Sequence, residues 1–528
     1  MLECLCYIRA GVRRLSPGFG SMLLATILCG CTVGPRYQPP KYTSAPAFGE
    51  LGAPVNTNEP VADWWREFHD PELDRLIDGV LRSNIDLQIA AARIRESRSQ
   101  RNIAAADLFP QVDADSSYAR SLGSKNVVLP LGGSSGSGGG SPKMVSRATP
   151  RAESESGGSS AGGGSLGANP LGSPPSPFGK GGLPGATTDL YQVGFDASWE
   201  IDVFGGKRRA VEAATAAAAA VAESRHALQV SLVAETARDY LELRGAQERL
   251  RIARDNLAAQ NDVLTLTRSK QSVGLDTDLD VARAASEVAA TESSLAPLEA
   301  DARKLVHALS TLAGREPNEL VPELAEAKPV PAEPPEVPVG LPSQLLKRRA
   351  DIREAERQIA EANARIGVAK ADLFPKFALI GSAGLDSSSA ANLFNWESKY
   401  FLISPTVAWR IFDAGRIMAN IHLQEANKQE AALQYRGAIL KALREVEDAL
   451  TGYASERVRR NHLSEELRQD QRVLELARQR YDKGLADFLI VLDAERNVLA
   501  SQDAMARSEV SVATELVALY KSLGGGWK

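Results

Sequence analysis

The side chains best equipped for chemistry in this chain are its cysteines and histidines, and their placement mostly excludes chemistry. All four cysteines (Cys4, Cys6, Cys29, Cys31) fall within the first 31 residues, so no disulfide framework or cysteine-based zinc site can form in the body of the protein. The five histidines (His69, His226, His307, His422, His462) are scattered without ligand spacing, which argues against a histidine-based metal centre. No Ser/His/Asp order and no GxxxxGK[ST] phosphate loop appears, and an enzyme is the reading with the least support. One thiol has a setting of its own. Arg9, Arg13 and Arg14 precede a short apolar run, MLLATIL at 22–28, too short to span a bilayer and in the form of an export signal. Gly30, a small residue, stands immediately before Cys31, whereas bulky Leu28 precedes Cys29. That order is similar to a bacterial lipobox, with 1–30 removed and Cys31 acylated. An ordinary export signal with incidental cysteines is the blander alternative.

The elements that must carry such a chain are written twice. The 528 residues hold 61 basic against 66 acidic side chains, a net charge of -5, which argues against a nucleic-acid partner. Hydrophobic residues make up 44% but aromatics only 6%, and much of the rest is alanine, a mix suited to closely packed helices. ADLFP stands at 106–110 and at 371–375, SWEI at 198–201 answers AWRI at 408–411, and RSKQSVGL at 268–275 answers RQRYDKGL at 478–485. The last two pairs are 210 residues apart and the first is 265 apart. The excess lies in a run rich in Gly, Ser and Pro from about 121 to 185, which cannot repay its ordering entropy and is expected to be a flexible loop.

Each half repeats one series of patterns. A helix of roughly 35 residues (about 72–108 and 343–373) ends at the Leu-Phe-Pro triplet, where proline stops it. Strand-like alternation follows, at 112–118 with 190–201, and at 377–385 with 400–411. Tyr191, Val193, Phe195, Ala197 and Trp199 form one face, and Phe401, Ile403, Val407, Trp409 and Ile411 form its counterpart. An apolar face and a mostly polar one suit a membrane barrel strand with a wet lumen. Tyr191, Trp199, Tyr400 and Trp409 near the strand ends suit an aromatic girdle. Then come about 66 residues of unbroken helical pattern (207–272 and 417–482), about 100 Å at 1.5 Å per residue. Leu440, Leu443, Val446, Leu450 and Tyr453 recur at threes and fours, matched 210 residues earlier by Val230, Val233, Thr236, Tyr240 and Leu243, a coiled-coil-like stripe. A glycine tip and a return helix of roughly 38 residues (276–313 and 486–523) close each half.

The lengths constrain the architecture. A return helix spans about 57 Å, and stacked on the 35-residue helix it matches the long one. Each half therefore supplies two helical columns and two strands. Four strands cannot close a barrel, whose smallest membrane version has about eight, and open edges do not survive in lipid. No later segment approaches 18 consecutive apolar residues, so no transmembrane helix is expected. Closure requires copies: a dimer gives 8 strands, a trimer 12. The expected order is a signal at 1–30, an extended segment at 31–71, a first repeat at 72–314, a proline-rich connector at 315–342, a second repeat at 343–523 and a tail at 524–528.

The residues behind this argument resemble the TolC-like outer-membrane efflux ducts, in particular the lipoprotein branch serving RND-type pumps. Cys31-Thr32-Val33-Gly34-Pro35, Asp63-Trp64-Trp65, Asp70-Pro71-Glu72-Leu73, both LFP triplets, Leu341-Pro342-Ser343 and Arg348-Arg349-Ala350-Asp351-Ile352 carry the likeness, in order, over nearly the whole mature chain. Ala350, where the family usually has proline, and the Gly/Ser-rich insertion depart from it. The resemblance implies a mainly helical fold with a 12-strand outer-membrane barrel and a 12-column α-barrel closed only in a trimer. It implies a periplasmic adaptor and an inner-membrane pump as partners, and no cofactor. It also implies a periplasmic gate at the helix tips, for which Tyr481, Asp493 and Arg496 match in the second half and Asp278, Asp280 and Arg283 lie at the corresponding tip of the first. Asp493 and Arg496, three apart, share a helix face. Val273-Gly274-Leu275 and Lys483-Gly484-Leu485 are the expected adaptor contacts, although Gly274 and Gly484 equally suit helix termination. A duct for type I protein secretion or metal export would share the fold. A structural envelope coiled coil would explain the helices but not the strands.

Overall fold

The computed structural model describes residues 32–42, 47–49, 55–56, 58, 61–122, 187–274 and 276–527. The export signal, Cys31, Leu275 and the bulk of the Gly/Ser-rich stretch lie outside the described residues. The helices are α1 (Pro71–Ser83), α2 (Ile85–Ala106), α3 (Gly206–Ser272), α4 (Asp278–Leu312), the single turn α5 (Val321–Leu324), α6 (Pro342–Arg348), α7 (Ala350–Ala371), α8 (Arg416–Asp482) and α9 (Phe488–Ser522). The strands are β1 (Val55–Asn56), β2 (Gln111–Leu122), β3 (Thr187–Ile201), β4 (Val337–Pro338), β5 (Lys376–Ser387) and β6 (Lys399–Ala408). β1 and β4 form a two-residue parallel pair that the sequence pattern did not announce. The chain divides into a helical unit and a strand unit, the latter comprising 110–200 and 378–406.

In the helical unit the duplication is kept to the residue. α3 and α8 each have 67 residues and start 210 apart, and α4 and α9 each have 35 and also start 210 apart. Both long helices begin after a left-handed glycine, Gly205 at φ 83° and Gly415 at φ 84°, a conformation that side chains resist. The single helices expected before each strand pair are each broken in two. In the first repeat Asn84 leaves the helix at ψ 132° and its side chain accepts from the Leu87 N–H, a new N-cap. Its amide donates to the Leu312 carbonyl at 2.8 Å, while the Ser83 hydroxyl donates to the Ala313 carbonyl at 2.7 Å. The break is therefore where α2 stacks on the end of the return helix α4. In the second repeat Arg349 makes the same joint, donating from Nη1 to the Ser522 carbonyl at 3.0 Å at the end of α9, while its other guanidinium nitrogens hold Asp351 at 3.0 and 2.7 Å.

Neighbouring helices follow one order: α2, α3, α7, α8 above these joints, and α4, α3, α9, α8 below them. One column of the chain, α2 on α4, and one helix, α8, thus form its two free edges. The stripe on α3 is buried throughout, whereas on edge helix α8 only Val446, Leu450 and Tyr453 are, and Leu440 is 53% exposed. The main core surrounds the joints. Trp64 stacks on Tyr520 with centroids 5.1 Å apart, and Trp65, Phe68, Leu73, Tyr240, Leu309, Val446 and Tyr453 pack with them. A charged group is sealed among them: fully buried Arg244 meets Glu72 at 2.8 Å, and Lys328 reaches the same carboxylate at 2.5 Å.

The strand unit is a sheet of order β2-β3-β5-β6. β2 runs through Leu122, so residues 121–122 are strand rather than loop. β2 and β3 pair antiparallel with Val112 opposite Ala197, Ala114 opposite Phe195 and Tyr118 opposite Tyr191. The two apolar faces therefore coincide, and the other face aligns Gln111 with Ser198, Asp113 with Asp196 and Ser117 with Gln192. The Tyr118 and Tyr191 rings lie 4.7 Å apart. Tyr400 departs from its expected place among the girdle residues. Its hydroxyl accepts from Gln192 Nε2 at 2.9 Å, and a Cβ at Gly194 or Gly384 would come within 2.7 or 3.0 Å of it. It therefore belongs to the polar face and covers two glycines that have no side chain of their own there. β6 ends at Ala408, so Trp409 and Ile411 are not strand residues. Trp409 sits in the helical unit, donating from Nε1 to the Leu373 carbonyl at 3.0 Å.

Candidate gate at the helix tips

Each long helix turns into its return helix through a left-handed glycine. At Gly274 (φ 77°) and Gly484 (φ 70°) nothing lies within 4 Å of the place a Cβ would take, so their backbone conformation, not crowding, requires glycine. Gly484 donates to the Tyr481 carbonyl at 2.9 Å and Leu485 to the Arg480 carbonyl at 2.8 Å, closing α8, and Gly274 donates to the Gln271 carbonyl at 3.0 Å, closing α3. α4 then starts with a capping box in which Thr277 and Asp280 satisfy each other's backbone N–H groups. Val273 and Leu485 are exposed, as are Leu279, Leu489 and Ile490, which no motif in the sequence marks. Lys483 is the C-cap of α8. Just behind the tips, Leu264, Ala284, Val288, Phe488, Val491 and Leu492 form a small apolar cluster against which Tyr481 packs.

The two hairpins are tied together by polar links around that cluster. Tyr481 donates its hydroxyl to both oxygens of Asp276, at 3.2 and 3.0 Å, and Lys270 Nζ lies 4.0 Å from the centre of its ring. Arg496 on α9 binds Glu287 on α4, with Nε to Oε1 at 2.7 Å, and the carboxylate holds the guanidinium above its ordinary value. Asp493 approaches Arg496 at 4.0 Å along the same helix, and Arg478 on α8 binds Glu495 on α9 at 2.8 Å.

Of the six expected gate residues, Tyr481 and Arg496 thus connect the hairpins, and Asp493 lies beside Arg496 with its side chain 59% exposed. The first-repeat residues behave differently. Asp280 belongs to the capping box and approaches Arg283 at 3.8 Å, and Asp278 accepts from Gln271 at 2.8 Å, a link within its own hairpin. The partners Asp276 and Glu287 are not among the expected residues. The Thr277-Asp278-Leu279-Asp280 order does carry a capping signal. Glu287 has no charged counterpart at 497 in the other repeat, so comparing the halves could not find it.

Residues 76–315 and 341–525 match the family described as outer membrane efflux protein. The chain belongs to this family. It is 31% identical over 494 residues to the pyoverdine export outer membrane protein OpmQ of Pseudomonas putida, a match spanning 93% of this chain and 94% of that protein. It is 29% identical over 517 residues to the probable outer membrane lipoprotein SilC of Salmonella typhimurium, spanning 95% and 97%. Among solved structures, the outer-membrane channel OprN superposes with a TM-score of 0.78 at 32% identity, covering 94% of this chain and all of that one. The protein is an outer-membrane efflux channel of TolC-like fold, and its family is one of ducts rather than enzymes.

Proposed function

We propose that this chain forms, as a homotrimer, the exit duct of a tripartite pump, closed at rest by the tip links and opened when a periplasmic adaptor engages the tips. The observation that carries the reading is the pair of cross-hairpin links, Tyr481 to Asp276 and Arg496 to Glu287. The Arg496–Glu287 pair, with its guanidinium 57% exposed, contributes about 0–1 kcal/mol, and the Tyr481 hydroxyl bonded to a carboxylate about 1.5–3 kcal/mol. Moving a closed state from 1:99 to 99:1 takes about 5.5 kcal/mol of differential binding, so a bound adaptor can overcome several such links. Asp493, with its side chain 59% exposed, would pair with a helix of a neighbouring copy. The trimer is supported by the open edges of the four-stranded sheet and by the two free helical edges, α8 and the α2/α4 column, which a ring of copies would bring together.

Cargo is proposed from relatives' names: pyoverdine for OpmQ, solvents for SrpC, toluene for TtgI. Small organic molecules delivered by an inner-membrane RND-type pump are the shared class. The name of SilC as a lipoprotein, with Gly30-Cys31, supports acylation at Cys31, and exposed Val273, Leu279, Leu485, Leu489 and Ile490 suit the adaptor contact. The test is planar-bilayer conductance with native mass of the detergent-extracted protein. The expected result is an acylated trimer of low resting conductance that rises several-fold in Arg496→Ala and Tyr481→Phe. A monomer, or variants with wild-type conductance, would overturn the proposal.

A further inference from the structure

Residues 524–527 take no part in the channel reading, and as a sequence they suggest only a tail. In the structure they are held at every position. Gly524 (φ 74°) donates to the Lys521 carbonyl at 3.0 Å and Gly525 to that of Tyr520 at 3.1 Å, ending α9. A Cβ at Gly525 would fall 2.7 Å from the Trp64 ring, so the chain passes where only glycine fits. Gly526 (φ 112°) donates to the Ala62 carbonyl at 2.8 Å and accepts from Gln229 Nε2 at 3.0 Å. Trp527 then donates from Nε1 to the Arg348 carbonyl at 3.1 Å. Its ring lies parallel to His226, centroids 4.5 Å apart at 10°, with the Arg353 guanidinium 4.9 Å from its centre. Glu223 ties the two flanking groups together, binding Arg353 at 2.6 Å and His226 at 3.3 Å.

Four consecutive residues therefore grip three separate stretches of chain: the segment before the first repeat (Ala62, Trp64), the long helix of the first repeat (His226, Gln229), and the start of the second repeat (Arg348, Arg353). The first repeat has the same glycine 210 residues earlier. Gly314 (φ 69°) has a Cβ position 2.5 Å from the Ser83 carbonyl. From there the chain leaves into the connector, so the two joints share a geometry but only the second is followed by such a grip among the described residues.

We propose that residues 524–527 act as a clasp that locks the two repeats to each other at the second joint. The three glycines provide the path, and Trp527 provides the hold: its ring stacks on His226 of the first repeat, while Arg353 and the Arg348 carbonyl fix it to the second. Opening the clasp frees the α9–α7 joint and the first-repeat helix turn around His226 together.

The test is hydrogen exchange by mass spectrometry on the full-length protein in detergent, comparing Trp527→Ala and Trp527→Phe with wild type. The expected result for Trp527→Ala is at least tenfold faster exchange in 223–233, 345–355 and 515–523 as well as in 524–527, with Trp527→Phe close to wild type. Faster exchange confined to 524–527 would overturn the clasp and leave a packed tail. Should Trp527→Ala not fold, His226→Ala, which removes one stacking partner from a partly exposed site, carries the same comparison.

Discussion

The sealed charge group offers the sharpest test of how the core is held. Arg244 has no solvent exposure: Nη1 donates to Gln247 Oε1 at 2.7 Å and to the Glu326 carbonyl at 2.8 Å, Nη2 forms an ion pair with Glu72 at 2.8 Å, and the guanidinium lies 4.7 Å from the Tyr240 ring. Glu72 has a second cation, Lys328, whose side chain is 41% exposed. The two halves of the pair are thus unequal. Glu72→Ala strands a buried guanidinium without its carboxylate, at a cost of about 3–5 kcal/mol, while Lys328 turns to water. Arg244→Met removes the buried cation, leaves Glu72 satisfied by Lys328, and costs the unmet acceptors at Gln247 and Glu326, about 1–3 kcal/mol. Glu72→Ala should therefore be the worse variant. Adding it to Arg244→Met should cost about 1 kcal/mol or less, a coupling visible in a double-mutant cycle. The assay is the denaturant midpoint of the detergent-solubilised protein, at low salt and at about 1 M salt, where the Debye length falls to about 3 Å. Equal effects for the two single variants would mean that Glu72 and Arg244 are not held as an unequal buried pair, as would loss of the Glu72→Ala penalty in high salt, because a buried pair is weakly screened.

Ala350 is the first residue of α7, preceded by Arg349 at ψ 121°, the setting that proline favours. Ala350→Pro should stabilise by about 0.4–1 kcal/mol, read as a higher midpoint. Asn84→Ala removes both an N-cap and the bond to Leu312, and should lower stability by about 1–2 kcal/mol. Gly245→Ala would place a Cβ 2.1 Å from Val510 Cγ2 and force α3 from α9, costing about 1–3 kcal/mol by the same measurement. Burial, and then the nearby Glu456 carboxylate, push the Glu515 carboxyl above its ordinary value. A raised acid favours the folded state below its folded value and loses that contribution as pH rises through it. Glu515→Gln should therefore raise the midpoint near neutral pH, and the gain should shrink as pH falls toward the ordinary carboxylate value of about 4; a gain constant with pH would count against this.

Where residues punctuate the chain, the fold could be read directly. Proline at the LFP triplets and left-handed glycines at 205, 274, 415 and 484 bound the helices, so even the lengths of α3 and α8 were legible. The joints were not. One repeat uses Asn84 and the other Arg349, and a contact made by an amide in one copy and a guanidinium in the other leaves no shared letter to find. The Arg-Arg-Ala-Asp-Ile and Asp-Pro-Glu-Leu hallmarks turn out to be parts of the joints and the core around them: Arg349 holds Asp351, and Glu72 holds Arg244. Alternation gave the two faces of the strands, and nearness to a strand end put Tyr400 among the girdle residues; the bare positions at Gly194 and Gly384 instead draw its ring onto the polar face. At the tips, Tyr481 and Arg496 were legible through resemblance, while their partners depend on how two hairpins meet, which no local pattern records.

The equal lengths of the paired helices have a consequence for how such a chain can change. Removing about seven residues from α3 alone would draw its tip back by about 10 Å relative to α9 and turn its buried stripe by about 20°. The hairpin would no longer meet its partner at Asp276 and Glu287. A shortened version is reachable only through matched losses in α3, α4, α8 and α9 together. The reach of the helices is thus fixed fourfold, like the staves of a cask, and single insertions or deletions are tolerated only outside them, as in the Gly/Ser-rich stretch that one half carries and the other lacks.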